Sequence, residues 1–174
     1  MESVIKKIKE KDQKTLYLFF ICSGNICRSP MAEILCEQLL QQTPLPYFDE
    51  VIVKSGAVVY HWTGSMDEYA ETVLRNIYKV PQARLKQFNS CHIDRDPVRC
   101  READFIITME EYHVRHIPPQ YRSKTFTLCE LATGSVRDVD DPYGGSLAVY
   151  KETANEILNY LQLFLTKLKN EIIK

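Results

Sequence analysis

An α/β domain built on one parallel sheet, doubly wound with helices on both faces, is the fold class this sequence predicts, and three observations predict it. Short apolar runs rich in aromatic and β-branched residues alternate with amphipathic runs, the order of repeated β-α-β units with right-handed crossovers. The first apolar run passes through a tight polar turn straight into a helical pattern, as a strand of a parallel sheet does. No linker, repeat or low-complexity stretch interrupts the 174 residues, a length that suits a single domain with a substantial core.

Residues 1–14 are mostly charged and read as an N-terminal extension, a solvated arm ahead of a domain over 15–174. Residues 16–21 (LYLFFI) make a buried first strand. Ser29-Pro30 then suits an N-cap and first helical position, and Met31, Ile34, Leu35, Leu39 and Leu40 recur at helical spacing until Pro44 and Pro46. Residues 50–55 (EVIVKS) read as the second strand, closed by Gly56. The next loop carries Tyr60 and Trp62. Loops at the carboxyl ends of strands line the crevice of open α/β sheets, which makes both candidates for its wall.

Farther on, 67–78 reads as a helix, 85–93 as a connector with no clear period, 96–102 as a short helix and 103–108 as the third strand. A short helix over 110–116 stops at Pro118-Pro119, and 125–128 is the fourth strand. An acidic, turn-rich segment over 134–145 precedes a long amphipathic helix over 147–169.

Bulk properties exclude several functions. The net charge is −1 with both signs interspersed, so neither nucleic acid nor an anionic membrane surface is an expected partner. No apolar run approaches membrane-spanning length, and residues 1–14 lack the apolar centre of a signal peptide. Six cysteines in a chain of this size suit reduced thiols rather than a secreted disulfide framework, hence an expected cytoplasmic location. No Cys-x-x-Cys or His-x-x-x-His pair supplies zinc-type spacing, so neither a metal nor another cofactor is expected. A monomer or weak dimer is the expected state.

The chemistry concentrates between the first strand and first helix of the domain, in Cys22-Ser23-Gly24-Asn25-Ile26-Cys27-Arg28-Ser29. Gly24 and Asn25 tolerate left-handed backbone, so this C-x5-R turn can aim successive N–H groups into one concavity at a helix N-terminus. A thiolate at Cys22 would be stabilised by those amides, by the helix dipole, by the Arg28 guanidinium and by the Ser29 hydroxyl. Ser23, Gly24, Asn25, Ile26, Cys27 and Arg28 would cradle the phosphate of a substrate, and Cys22 would attack it.

This stretch resembles the signature C-x-G-N-x-C-R-S of the low-molecular-weight protein tyrosine phosphatases. The resemblance runs nearly to the end of the chain and implies four strands in the order 2-1-3-4. It also implies a general acid in an Asp-Pro-Tyr segment before the last helix, matched here by Asp141-Pro142-Tyr143. Asp141 is therefore assigned proton donation to the leaving oxygen and later activation of water, with Asp138 and Asp140 as loop acids. Tyr143 joins Ile26, Tyr60 and Trp62 as a candidate for the substrate rim. Cys27, five positions from Cys22, is a candidate resolving thiol that would trap an oxidised Cys22 as a disulfide.

The expected substrate is a phosphoprotein. Isoleucine at position 26 is similar to the tyrosine-specific members, whereas Asp141-Pro142-Tyr143-Gly144-Gly145-Ser146 looks like the bacterial protein arginine phosphatase branch, which carries threonine at position 26. Phosphotyrosine is the expected group and phosphoarginine the alternative. Thioredoxin-linked arsenate reductases share the loop but place relay cysteines just after the third strand, where this chain has Met109-Glu110-Glu111. A non-catalytic phosphate-recognition module is the remaining alternative, separated by loss of aryl phosphate hydrolysis in Cys22→Ser.

Overall fold

The computed structural model describes all 174 residues. Its centre is β1 (Thr15–Cys22), flanked by β2 (Glu50–Ala57) on one side and by β3 (Phe105–Thr108) and then β4 (Thr125–Thr127) on the other. All pairings are parallel and the strand order is 2-1-3-4, as the family resemblance implied. Cys22, the last residue of β1, stands opposite Ala57, the last of β2. The loops that leave these strands therefore meet at one end of the sheet.

β1 is buried on both faces, and its alternate residues separate the core into two layers. Leu16, Leu18, Phe20 and Cys22 join a large cluster under α1 (Glu2–Lys9), α2 (Arg28–Gln42), α3 (Glu68–Asn76) and the C-terminal helix. Tyr17, Phe19 and Ile21 join a smaller cluster on the opposite face. A continuous apolar run with no polar alternation is what such a doubly covered strand requires. Two short helices follow α3, namely α4 (Gln82–Lys86) and α5 (Pro97–Glu102), and α5 covers the second face through Cys100. Beyond β3 come α6 (Glu111–His116), α7 (Leu128–Thr133) and α8 (Leu147–Ile173), the last about 40 Å long at 1.5 Å per residue.

Four local readings of the sequence are corrected. The N-terminal arm is not solvated: α1 docks in the main core through Val4, Ile5 and Ile8, all at most 6% exposed. Its lysines mask an i, i+1, i+4 apolar stripe. The segment from 128 onward is helical, because the Thr127 side chain caps α7 at the Glu130 amide (3.1 Å) and Gly134 ends it at φ 84°. A five-residue helix, α4, lies across the start of the stretch that read as a periodless connector. Ser29 is not the N-cap of α2, since that helix begins at Arg28 and the Ser29 hydroxyl turns toward the Cys22 sulfur. Pro30 is accommodated within the first turn, where its missing N–H costs nothing.

Candidate active site

β1 delivers Cys22 to the floor of a cavity of about 340 Å³ at the carboxyl end of the sheet. Every element of the C-x5-R turn except Asn25 lines it, together with Tyr60 and Trp62 from the loop after β2 and Asp141 and Tyr143 from the loop before α8. The fold thus brings the predicted site residues together around one cleft.

The turn is held by polar bonds beneath it. Asn25 is fully buried with φ 55°, a left-handed backbone that asparagine tolerates better than most residues. Its Nδ2 donates to Ser29 Oγ (2.9 Å) and Ser55 Oγ (2.8 Å), and its Oδ1 accepts from the Cys91 amide (3.0 Å). The Asn25 amide in turn donates to Cys22 Sγ at 3.2 Å. Gly24 serves a different purpose from the left-handed one read from sequence: a Cβ there would sit 2.8 Å from the Trp62 ring. Glycine is needed because the indole lies against the turn. Asn25→Ala would leave two buried hydroxyls and the part-buried Cys91 amide short of a bond, at about 1–3 kcal/mol. The expected result is a lower denaturant midpoint with an unchanged m-value.

Around the sulfur, donors converge. Ser29 Oγ accepts from Asn25 Nδ2 and stands 3.0 Å from Cys22 Sγ, with the Gly56 carbonyl (3.4 Å) as a second acceptor for its proton. The amides of Ser23, Gly24, Ile26, Cys27 and Arg28 find no acceptor within the protein. Five unpaired N–H groups on one turn at a helix start form an anion cradle, since buried backbone donors are otherwise paired.

Arg28 is 1% exposed. One terminal nitrogen donates to Glu110 and to the Val139 carbonyl (2.9 Å), and the other to Asp141 Oδ2 (2.9 Å) and Ser23 Oγ (3.4 Å). Burial works against its charge, but Cys22, Asp141 and Glu110 more than offset this and hold its pKa above the usual value. Its Nε is buried without a partner, leaving one edge of the fork for a ligand oxygen.

Sequence reasoning missed two members of this shell, Glu110 and His113, at the carboxyl end of β3. They form a capping box at the start of α6. His113 Nδ1 accepts from the Glu110 amide (3.2 Å), so the proton sits on Nε2, which donates to Ser23 Oγ (2.8 Å). Burial, then Arg28 and His116, push the His113 pKa down to about 3, so the ring is neutral across the physiological range. A strand end followed by Glu-x-x-His was the available signal.

The acidic loop is anchored, not free. The Val139 amide donates to the Met109 carbonyl (2.8 Å) at the end of β3, and Asp138 accepts from the Glu111 amide (2.8 Å) at the start of α6. Asp138 is thus a helix cap. Only Asp141 of the three acids reaches the cleft, half-exposed, with Oδ1 accepting from the Tyr143 amide at 3.3 Å. Cys27 lies under the turn, its sulfur 3.3 Å from the Tyr150 hydroxyl. Burial pushes its pKa up to about 12, so this thiol stays protonated.

Comparison with known proteins agrees with this geometry. The family model described as low molecular weight phosphotyrosine protein phosphatase matches residues 17–174. A protein-arginine-phosphatase of Bacillus subtilis is 33% identical over 159 residues, covering 88% of this chain and 97% of its own. The low molecular weight protein-tyrosine-phosphatase PtpB of Staphylococcus epidermidis is also 33% identical, over 142 residues, covering 80% and 90% respectively. Among solved structures, the arginine phosphatase YwlE from Geobacillus stearothermophilus superposes with a TM-score of 0.77 at 30% identity, covering 91% of this chain and 96% of that one. No helix here is long and apolar enough to cross a membrane.

Proposed function

This chain belongs to the low-molecular-weight phosphotyrosine protein phosphatase family and is a cysteine-dependent phosphatase, and from that premise we propose that it hydrolyses phosphotyrosine in proteins. The observation that carries the choice of substrate is the mouth of the cleft. Ile26, Tyr60, Trp62 and Tyr143 surround it with apolar and aromatic surface, which suits a phenyl ring held by offset or edge-to-face contacts.

In the first step the Cys22 thiolate attacks phosphorus in line, forming an S–P bond as the bond to the phenolic oxygen breaks. The unpaired amides of the turn and the free edge of Arg28 receive the equatorial oxygens, where charge develops. Those oxygens compete with Asp141 for Arg28; the freed carboxylate takes the proton that the phosphate monoanion brings and passes it to the leaving oxygen. Water then attacks the phosphocysteine, Asp141 takes its proton, and the Ser29 hydroxyl at 3.0 Å stabilises the departing thiolate. Glu110, the Val139 carbonyl and neutral His113 act through Arg28 and Ser23 as positioning groups. Metal ions have no part in this scheme.

Phosphoarginine is the second reading. Overall likeness does not separate the two, because the arginine and tyrosine phosphatases above are equally identical to this chain. In its favour, Asp141 Oδ1 is half-exposed and accepts only the Tyr143 amide, leaving capacity for a guanidinium. Catalytic efficiency on matched phosphotyrosine and phosphoarginine peptides tests the assignment. A higher value on phosphotyrosine is the expected result, and the reverse order rejects it.

Two further features belong to the proposal. A cytoplasmic location suits six free thiols. Cys27 is assigned the trapping of oxidised Cys22, in slow form, because its own thiol is protonated and bonded to Tyr150. After peroxide and then thiol treatment, Cys27→Ser should recover less activity than the parent. Equal recovery leaves Cys27 a packing residue.

A further inference from the structure

On the far side of the aromatic loop from Cys22, the fold assembles a donor set that no sequence spacing announced. The segment around Cys91–Ile93 extends the sheet beside the end of β2: Ala57 pairs with His92, with backbone bonds of 2.8 and 3.0 Å on either side. That pairing fixes His92, whose ring is buried. Its Nδ1 lies 3.4 Å from Asp94 Oδ2, and His61 Nε2, from the loop after β2, lies 3.9 Å from the same oxygen. The three donor atoms are all within 4.8 Å of one another.

We propose that His61, His92 and Asp94 form a binding site for a divalent transition ion of the zinc type, which staples the aromatic loop to the strand-like segment beside it.

One edge of a tetrahedral shell is already in place. Zinc–nitrogen and zinc–oxygen bonds of about 2.0–2.1 Å place neighbouring donors about 3.3 Å apart. The 3.4 Å pair already meets this; His61, whose ring stacks on that of His92 with centroids 3.7 Å apart and 27° between planes, reaches the same ion by swinging its exposed side chain out of that stack so that its lone pair points at the ion. Two imidazoles and one carboxylate, with solvent for the fourth position, is a donor set zinc accepts. The ion would take the Nδ1 lone pair that now receives the Asp94 amide at 3.2 Å. His61 and Asp94 are more than half exposed, so an ion can enter from solvent.

The site bears on the cleft through the chain itself. His61 lies between Tyr60 and Trp62, the Tyr60 amide donates to the Ser23 carbonyl (2.9 Å), and Trp62 packs on Gly24. An ion at His61 therefore restrains the wall of the phosphate turn.

Zn²⁺ titration of full-length Cys22→Ser by calorimetry tests this, since that background removes the cleft thiol, and adding Cys91→Ser removes the half-exposed thiol beside His92. One equivalent should bind, and emission of Trp62, the chain's one tryptophan, should change along the same isotherm. His61→Ala and Asp94→Asn, both at exposed positions, should weaken binding by at least the roughly 10–100-fold that loss of an outer partner causes. No Zn²⁺ binding to Cys22→Ser, or equal affinity in both variants, would overturn the site.

Discussion

Replacing Asp141 by asparagine should lower turnover of phenyl phosphate by roughly 10²–10⁴-fold, the range associated with loss of a positioned general acid. Asparagine keeps the size and one acceptor oxygen of the side chain, so the loop keeps its anchor through Val139 and Asp138. A substrate with a leaving group of low pKa should lose much less, because its oxygen departs without a proton. The signature is therefore the ratio of the two losses. The structure adds a second expectation. Asp141 is one of two carboxylates on Arg28, and removing its charge leaves Glu110 as the sole anionic partner. Phosphate then no longer displaces a carboxylate from the guanidinium, so inorganic phosphate should inhibit the variant more strongly than the parent. Equal losses on both substrates would move the acid elsewhere, and Asp140, exposed on the same loop, would be next to test.

What was legible in the sequence was what is local along the chain. The run from β1 through the turn into α2 is contiguous, so burial, left-handed tolerance and anion cradle could all be read from residues 16–33. Asp141 was legible for a different reason: the family resemblance supplied a role that turn chemistry alone would have left as an aspartate before proline. Contacts made by the fold were not legible. Glu110 and His113 reach Arg28 and Ser23 across 82 and 90 residues, and nothing in a Glu-x-x-His spacing says which cation or hydroxyl it will meet. His61 and Asp94 likewise come from separate loops that only the Ala57–His92 pairing brings together. The N-terminal arm was misread because charge dominated its composition while Val4, Ile5 and Ile8 carried its burial.

Ile26→Thr should shift preference toward phosphoarginine by roughly 5- to 150-fold while leaving hydrolysis of a small aryl phosphate nearly unchanged. Ile26 is half-buried at the mouth of the cleft, where it meets whatever group carries the phosphate. Its side chain offers no hydrogen bond. A guanidinium pressed against it would keep unpaired donors, at about 1–3 kcal/mol, whereas a phenyl ring loses nothing. Threonine keeps the β-branched shape and supplies an oxygen that can accept a guanidinium N–H. The backbone should hold, because the Ile26 carbonyl is fixed by the Asp67 amide (2.9 Å) and the turn beneath by Asn25. Cys22, Ser29 and Arg28 keep their partners, so the shift should be confined to the group beyond the phosphate. The measurement is the ratio of kcat/KM for matched phosphoarginine and phosphotyrosine peptides, in parent and variant. A ratio that does not move would mean that Ile26 does not read the substrate. The discriminating contact would then lie with Asp141, which can pair with a guanidinium, or with Tyr60, Trp62 and Tyr143, which can stack on it.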